Sequence, residues 1–182
     1  MNKKEQLDKL IKSKLIGSII EEVSLYNINS QKFDIKDCDR QVVDGGMEIR
    51  LNNEEYFCFS WDSELDLQNI GFDRFNQMFT GDKYQKLKTE DDYFWKRIKR
   101  QRIENVNIQY GLFENINGNS FYIPEFIDFK LSFNHRFLIG AMDFEIKKNE
   151  LTDFKIDSEE WIVIFFDEME INDVMKKIRV NE

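Results

Sequence analysis

Asp128 and the triplet Glu145-Ile146-Lys147 are the residues whose types and spacing come nearest to catalysis. Carboxylates on two neighbouring strands can hold Mg²⁺ between them. The cation then acidifies a bound water and neutralises charge on a phosphoryl group, while a lysine steers the nucleophile. Asp143, two residues before Glu145, would share that strand face. Other chemistry has less to work with. His135 is the only histidine, no nucleophile turn of the G-x-S-x-G kind accompanies it, and its setting is that of a turn residue. Cys38 and Cys58 have no metal-ligand spacing and no basic cluster beside them in sequence. Asp44-Gly45-Gly46 lacks the Lys-Ser/Thr of a phosphate loop and reads as a turn.

The first pattern resembles the metal-dependent nucleases of the PD-(D/E)xK type, which set an aspartate on one strand and an acid-x-lysine on the next. The resemblance covers three residues, and Ile127 stands where the family has its proline. It implies a Mg²⁺-dependent phosphodiesterase built on Asp128, Glu145 and Lys147. The same charges are what the solvent face of an amphipathic strand carries anyway, so no metal and no cofactor is expected.

A second candidate is KRIKRQR over residues 96–102, where Lys96, Arg97, Lys99, Arg100 and Arg102 follow Tyr93-Phe94-Trp95. Basic side chains beside aromatics can pair phosphates and stack bases. Glu90, Asp91 and Asp92 precede this run, however, and acids before bases is the order that complements a helix dipole. A solvated helix accounts for both signs, which makes nucleic acid the weaker expectation. Acidic residues recur elsewhere: Asp62, Glu64 and Asp66, then Asp143 and Glu145, then Asp153, Asp157, Glu159 and Glu160, then Asp167, Glu168 and Glu170. Of these, Asp62, Glu64, Asp66, Asp143, Glu145, Asp157, Glu159 and Glu160 are the candidate contacts for a basic protein, since complementary charge speeds encounter.

The elements that must position these residues are written in hydrophobic alternation. Within residues 126–146, FIDFKLSFNHRFLIGAMDFEI, a two-residue loop at Asn134-His135 puts Phe133 opposite Arg136. Ile127, Phe129, Leu131, Phe133, Leu138, Met142, Phe144 and Ile146 then line one face. Asp128, Lys130, Ser132, Asp143, Glu145 and Lys147 line the other. A three-residue loop or a bulge at Gly140 would move part of the second strand to the other face. Residues 46–65 align without a gap on 126–145, matching Leu51 with Leu131 and Phe57 with Phe137, a weak sign of an internal hairpin repeat. That first hairpin fits best with a three-residue loop at 52–54, which groups Met47, Ile49, Leu51, Phe57, Phe59 and Trp61.

Around the hairpins, residues 3–15 read as a helix with Leu7, Leu10, Ile11 and Leu15 on one stripe, ended by Gly17. Residues 18–26 read as a strand. Residues 72–79 and a helix capped by Thr89 and running to about Glu104 form a helical insertion over 72–104. A strand at 106–114 and a short one at 121–123, before Pro124, precede the main hairpin. WIVIFF, residues 161–166, has the continuous apolar run of a strand buried on both faces, and residues 171–178 close as a short helix.

With 182 residues and 41% hydrophobic composition, including seventeen Phe, the chain can fill one core without staples. The reading is therefore one α+β domain over residues 1–182, mostly antiparallel, built from hairpins at 46–62 and 126–146 with a helical insertion and short terminal helices. A net charge of −9 opposes phosphate backbones and anionic membranes and favours basic proteins. No apolar run is long enough to span a membrane, MNKKEQLDKL shows no export signal, and free thiols suit a reducing compartment, so the cytoplasm is expected. These features imply a non-catalytic binding protein, in its sharpest form an acidic immunity-type inhibitor of a basic toxin or effector.

Overall fold

A computed structural model describes residues 3–28, 36–37, 40–62, 67–71, 84–87, 89, 92–114, 120–147, 150–155 and 161–180. The expected helix over 72–79 lies outside these residues, as does Cys38. Within the described residues the chain forms two antiparallel sheets laid face to face. The strands of the first are β1 (Ile20–Ile28), β4 (Gly46–Leu51), β5 (Tyr56–Asp62), β6 (Leu67–Gly71) and β7 (Tyr84–Leu87), in the order β6-β5-β4-β1-β7. The second contains β2 (Lys36–Asp37), β3 (Arg40–Val43), β8 (Ile103–Glu114), β9 (Ser120–Leu131), β10 (Arg136–Lys147) and β12 (Trp161–Phe165), in the order β2-β3-β12-β10-β9-β8. There β11 (Glu150–Lys155) pairs with the far end of β10.

Alternation explains why the sheets meet. Met47, Ile49, Leu51, Phe57 and Phe59 of the first sheet and Ile127, Phe129, Leu131, Phe137 and Ile139 of the second are all essentially buried in one cluster. Phe129 stacks on Phe137 at 4.5 Å and meets Phe57 of the facing sheet edge-on at 5.7 Å. Burial of each such ring is worth roughly 1.5–3 kcal/mol. Helices α1 (Lys3–Leu15) and α2 (Tyr93–Ile98) add Ile11, Leu15, Trp95 and Ile98 to the same core. A third helix, α3 (Glu168–Val180), lies on the outer face of the second sheet and sets Ile171 and Val174 against Val42, Phe126, Leu138, Val163 and Phe165. WIVIF is thus buried on both sides, as its unbroken apolar run requires: Ile162 and Ile164 face the sandwich while Val163 and Phe165 face α3.

The main hairpin departs from its expected register. Leu131 N donates to His135 O at 2.8 Å, so the loop is the three residues Ser132–Asn134 and not Asn134-His135. Phe129 pairs with Phe137, Ile127 with Ile139, and Leu138 with Asp128. An odd slip inverts a strand's faces. Phe137 and Ile139 therefore point inward, Leu138 points to the α3 side, and Phe133 is expelled onto the loop, 84% exposed. Local alternation could not decide this, because β10 begins with the run Phe137-Leu138-Ile139, apolar at consecutive positions, and α3 makes either face acceptable.

The first hairpin has the expected loop. Leu51 N donates to Glu55 O at 2.9 Å, and Glu54 takes a left-handed φ of 65° at the third loop position. The two hairpins share one register. Met47↔Phe59 and Ile49↔Phe57 become Ile127↔Ile139 and Phe129↔Phe137 when every residue is shifted by 80. The equivalence extends outward. Ile20 pairs with Leu51 and Glu22 with Arg50, leaving Glu21 as a bulge; Ile103 pairs with Leu131 and Asn105 with Lys130, leaving Glu104 as a bulge. The halves join about a local twofold at the bridge Ile19↔Arg102. Gly17 N donates to Ile103 O at 2.8 Å while Arg100 N donates to Ile20 O at 2.7 Å, and both Gly17 (φ 92°) and Arg100 (φ 67°) are left-handed.

Smaller differences follow from tertiary context. Helix α2 is capped by Asp92, not Thr89, and ends at Ile98, because Arg100 turns the chain into β8. Thr89 instead donates its hydroxyl to Val23 O at 2.8 Å. Strand β9 runs through Pro124, whose missing N–H is tolerated beside a bulge at Glu125. Leu10 is half exposed while Ile11 and Leu15 are buried. Asp44-Gly45 turns the chain as expected, but it passes from one sheet to the other, since β3 pairs with β12 and β4 with β1.

Candidate functional site

The three residues of the nuclease-like pattern are not brought together. Asp128 is 2% exposed, and Arg136 holds it with two nitrogens, Nε to Oδ1 at 2.7 Å and Nη2 to Oδ2 at 2.9 Å. Asn107 Nδ2 lies 3.4 Å from Oδ2, and Arg136 Nη1 donates onward to Asn172 Oδ1 of α3. Asp128 sits opposite Leu138, and position 145 is seven residues further along β10. At about 3.3 Å per residue, that is on the order of 20 Å away. Among the described residues, no three of His, Cys, Asp and Glu are grouped to hold a metal ion.

The basic run is divided rather than lined up. Asp92 caps α2 by accepting from Phe94 N at 2.7 Å, and this six-residue helix sends its charges to different sides. Lys96 and Lys99 border a hollow of about 400 Å³ together with Lys86, Glu22 and Trp95. Arg97 borders a separate one with His135. Arg100 forms the turn, and the backbone of Arg102 makes the bridge to Ile19. Of the acidic candidates, Asp62 ends β5, while Asp143 and Glu145 lie in β10 where it pairs with β11. Glu64, Asp66, Asp157, Glu159 and Glu160 lie outside the described residues.

A different corner draws functional groups together, where α2, the Ser132–Asn134 loop and the start of α3 meet. Two hollows of about 270 and 350 Å³ lie there, and Asn134, His135, Arg136 and Glu168 border both. Arg97 Nη2 lies 3.1 Å from His135 Nδ1, and its guanidinium stands 5.4 Å from the Tyr93 ring centre. Partial burial, and then the Arg97 charge, hold the His135 pKa below the usual imidazole value. The neutral ring accepts from Arg97 through Nδ1. One wall is formed by Phe94 stacked on Phe166 at 4.7 Å. Beside it stand three large side chains left in solvent: Phe133, 84% exposed, Met169, 76%, and Tyr93, 66%. Surface aromatics next to a polar, mixed-charge rim are the anatomy of a binding surface.

The sequence carries one signal for this corner. Asn134 is a residue that tolerates left-handed backbone, so Ser132-Phe133-Asn134 was readable as a three-residue loop with Asn at its third position. Another buried carboxylate lies at the centre of the first sheet's outer face. Glu48 is 5% exposed and its Oε2 has no hydrogen-bond partner. Burial raises its pKa above the usual carboxylate value. Glu48 is the positional counterpart of Asp128, but Tyr56 stands where the second half has Arg136.

Comparison with protein-family models, with curated proteins and with solved structures finds no match.

Proposed function

We propose that this chain is a non-catalytic binding protein whose partner is a basic protein, and that it acts as an immunity-type inhibitor covering a cationic toxin or effector. The observation that carries the reading is a surface corner with three solvated apolar side chains on a molecule of net charge −9. Apolar anchors supply affinity, and an acidic field speeds the approach of a cationic partner. The engagement of Asp128 by Arg136 supports the same reading, because it leaves that carboxylate occupied in a structural ion pair.

The test uses the tagged full-length chain as bait at low and at high salt, followed by reconstitution with the purified partner. We expect a positively charged protein, retained at low salt with an association rate that falls steeply as salt rises, and stoichiometric loss of that protein's activity in the complex. Mg²⁺-dependent cleavage of RNA or DNA by the chain alone, abolished by Glu145→Ala, would refute the reading.

A further inference from the structure

We propose that the recess between α2 and the β1–β7 edge of the first sheet binds a small organic phosphate. Lys86, Lys96 and Lys99 hold its phosphate oxygens, and Val23, Leu87 and Trp95 meet its carbon body. The site is separate from the corner described above and does not depend on the protein-binding reading.

The recess has a volume of about 400 Å³, and small-molecule sites occupy roughly 300–1,000 Å³. Its floor is already built. Trp95 is 3% exposed, its indole Nε1 donates to Gln41 Oε1 at 2.7 Å, and its ring meets Phe137 and Phe166 edge-on. The Thr89 hydroxyl donates to Val23 O at 2.8 Å and so ties the chain after β7 back to β1. With ring and strand fixed by these contacts, a ligand meets an ordered wall and orders little on arrival.

The rim carries a local surplus of one sign. Among the described residues that border the recess, three are lysines and Glu22 is the one acid. Glu22 is held by Lys86 Nζ at 3.1 Å and by Arg50 Nη2 at 3.5 Å, so Arg50 offsets its charge. Lys96 in α2 and Lys99 at its C-cap lie three residues apart, on one side of the helix. Arg97, between them, borders a different hollow. Lys99 has no ion pair among the described residues. The net charge of −9 does not cancel this surplus, since physiological salt screens exposed charges beyond roughly 8 Å.

The donors select the anion. A planar carboxylate is matched by the fork of an arginine, whereas an ammonium is a point charge with three rotatable donors and suits phosphate oxygens. An apolar floor under a cationic rim fits a ligand that has both parts, and a nucleoside diphosphate has that form. A polymer is served less well, because the basic side chains of residues 96–102 do not share one track.

The experiment titrates the full-length chain with ADP, pyrophosphate, adenosine and an oligouridylate, at low salt and with divalent cations chelated. Calorimetry gives the affinities, and the Trp95 indole signal in ¹⁵N-labelled protein gives the place. ADP should bind tighter than pyrophosphate by at least about fivefold, adenosine should not bind, and the Trp95 signal should move with ADP. Joint replacement Lys96→Gln, Lys99→Gln should weaken ADP by at least about 10-fold, the scale of losing charge-assisted contacts. Lys176→Gln, which removes a lysine 76% exposed on α3, should stay within about twofold. Where circular dichroism of the double variant departs from wild type, Lys99→Gln alone makes the comparison. No binding of ADP, equal loss in Lys176→Gln, unchanged affinity in the double variant, or adenosine binding as well as ADP would each overturn the proposal. Equal affinity for pyrophosphate and ADP would overturn the role given to the apolar floor. Oligouridylate bound tighter than ADP and lost in the double variant would overturn it in favour of a nucleic-acid track.

Discussion

Arg136 closes on Asp128 across the β9–β10 hairpin with two parallel hydrogen bonds of 2.7 and 2.9 Å, and the carboxylate it holds is 2% exposed. The pair ties the hairpin to α3 through Asn172. It occupies the position that the sequence offers most readily for a metal-binding acid.

Breaking that pair from one side should therefore register as lost stability. Asp128→Ala leaves a guanidinium largely enclosed, for which a cost of about 3–5 kcal/mol is expected. For a chain of this size that is a fall in Tm of roughly 6–20 °C. The double variant Asp128→Leu, Arg136→Met should recover much of the loss, as measured by urea or thermal unfolding. A double variant as unstable as the single one would show that the pair is not the cause.

Glu48 should make stability fall as pH rises. Its folded pKa is raised by burial, so the native state holds the proton more tightly than the unfolded chain. The resulting contribution is complete below the unfolded carboxylate pKa and is lost as pH climbs through the raised folded value. Glu48→Gln keeps the shape without the charge. It should stabilise the protein at neutral pH by about 1–2 kcal/mol and flatten the profile in that window. Parallel pH profiles for variant and wild type would exclude this role.

Gly45 should tolerate no side chain. A Cβ there would lie 2.5 Å from Tyr26 O, on the backbone of β1, where Gly45 N also donates to that oxygen at 3.0 Å. Gly45→Ala must push β1 away at the point where the chain changes sheets. A loss of more than about 2 kcal/mol is expected, at the upper end of single substitutions. Gly17→Ala adds a Cβ that meets nothing within 4 Å and strains only a φ of 92°, so its cost should be smaller. Chemical denaturation of both variants makes the comparison.

The division of the basic run predicts weak contact with nucleic acid. Lys96 and Lys99 border one hollow and Arg97 another, so a single backbone track meets few of the five charges. Binding of single-stranded RNA at low salt should be feeble, and the joint replacement of Lys96, Lys99 and Arg97 by Ser should change it little. Tight binding with a steep salt slope, lost in that variant, would reverse this expectation.

Much of the fold was legible because burial leaves a period-two imprint. Met47, Ile49, Leu51, Phe57 and Phe59 alternate cleanly, and their loop at 52–54 has the length that pairs them in the structure. The second hairpin was visible as a hairpin, but its loop was misplaced by the turn-forming Asn134-His135. The consequence was large. It hid Phe133 inside the expected core and brought Asp128, Glu145 and Lys147 onto one face. Thr89 failed as a helix cap for a similar reason, since Asp92 offers the same capping chemistry three residues later.

By itself, the sequence determined the class, an antiparallel α+β domain, and the net acidic charge, because composition and alternation are local and additive. The tertiary structure alone decided that Phe133 stands in solvent, that Asp128 belongs to Arg136, and that α2 meets the second hairpin loop and α3 at one corner. Those outcomes depend on register, and register is settled by what covers the second face of a strand. In β10 that cover is α3, a helix some thirty residues further along the chain.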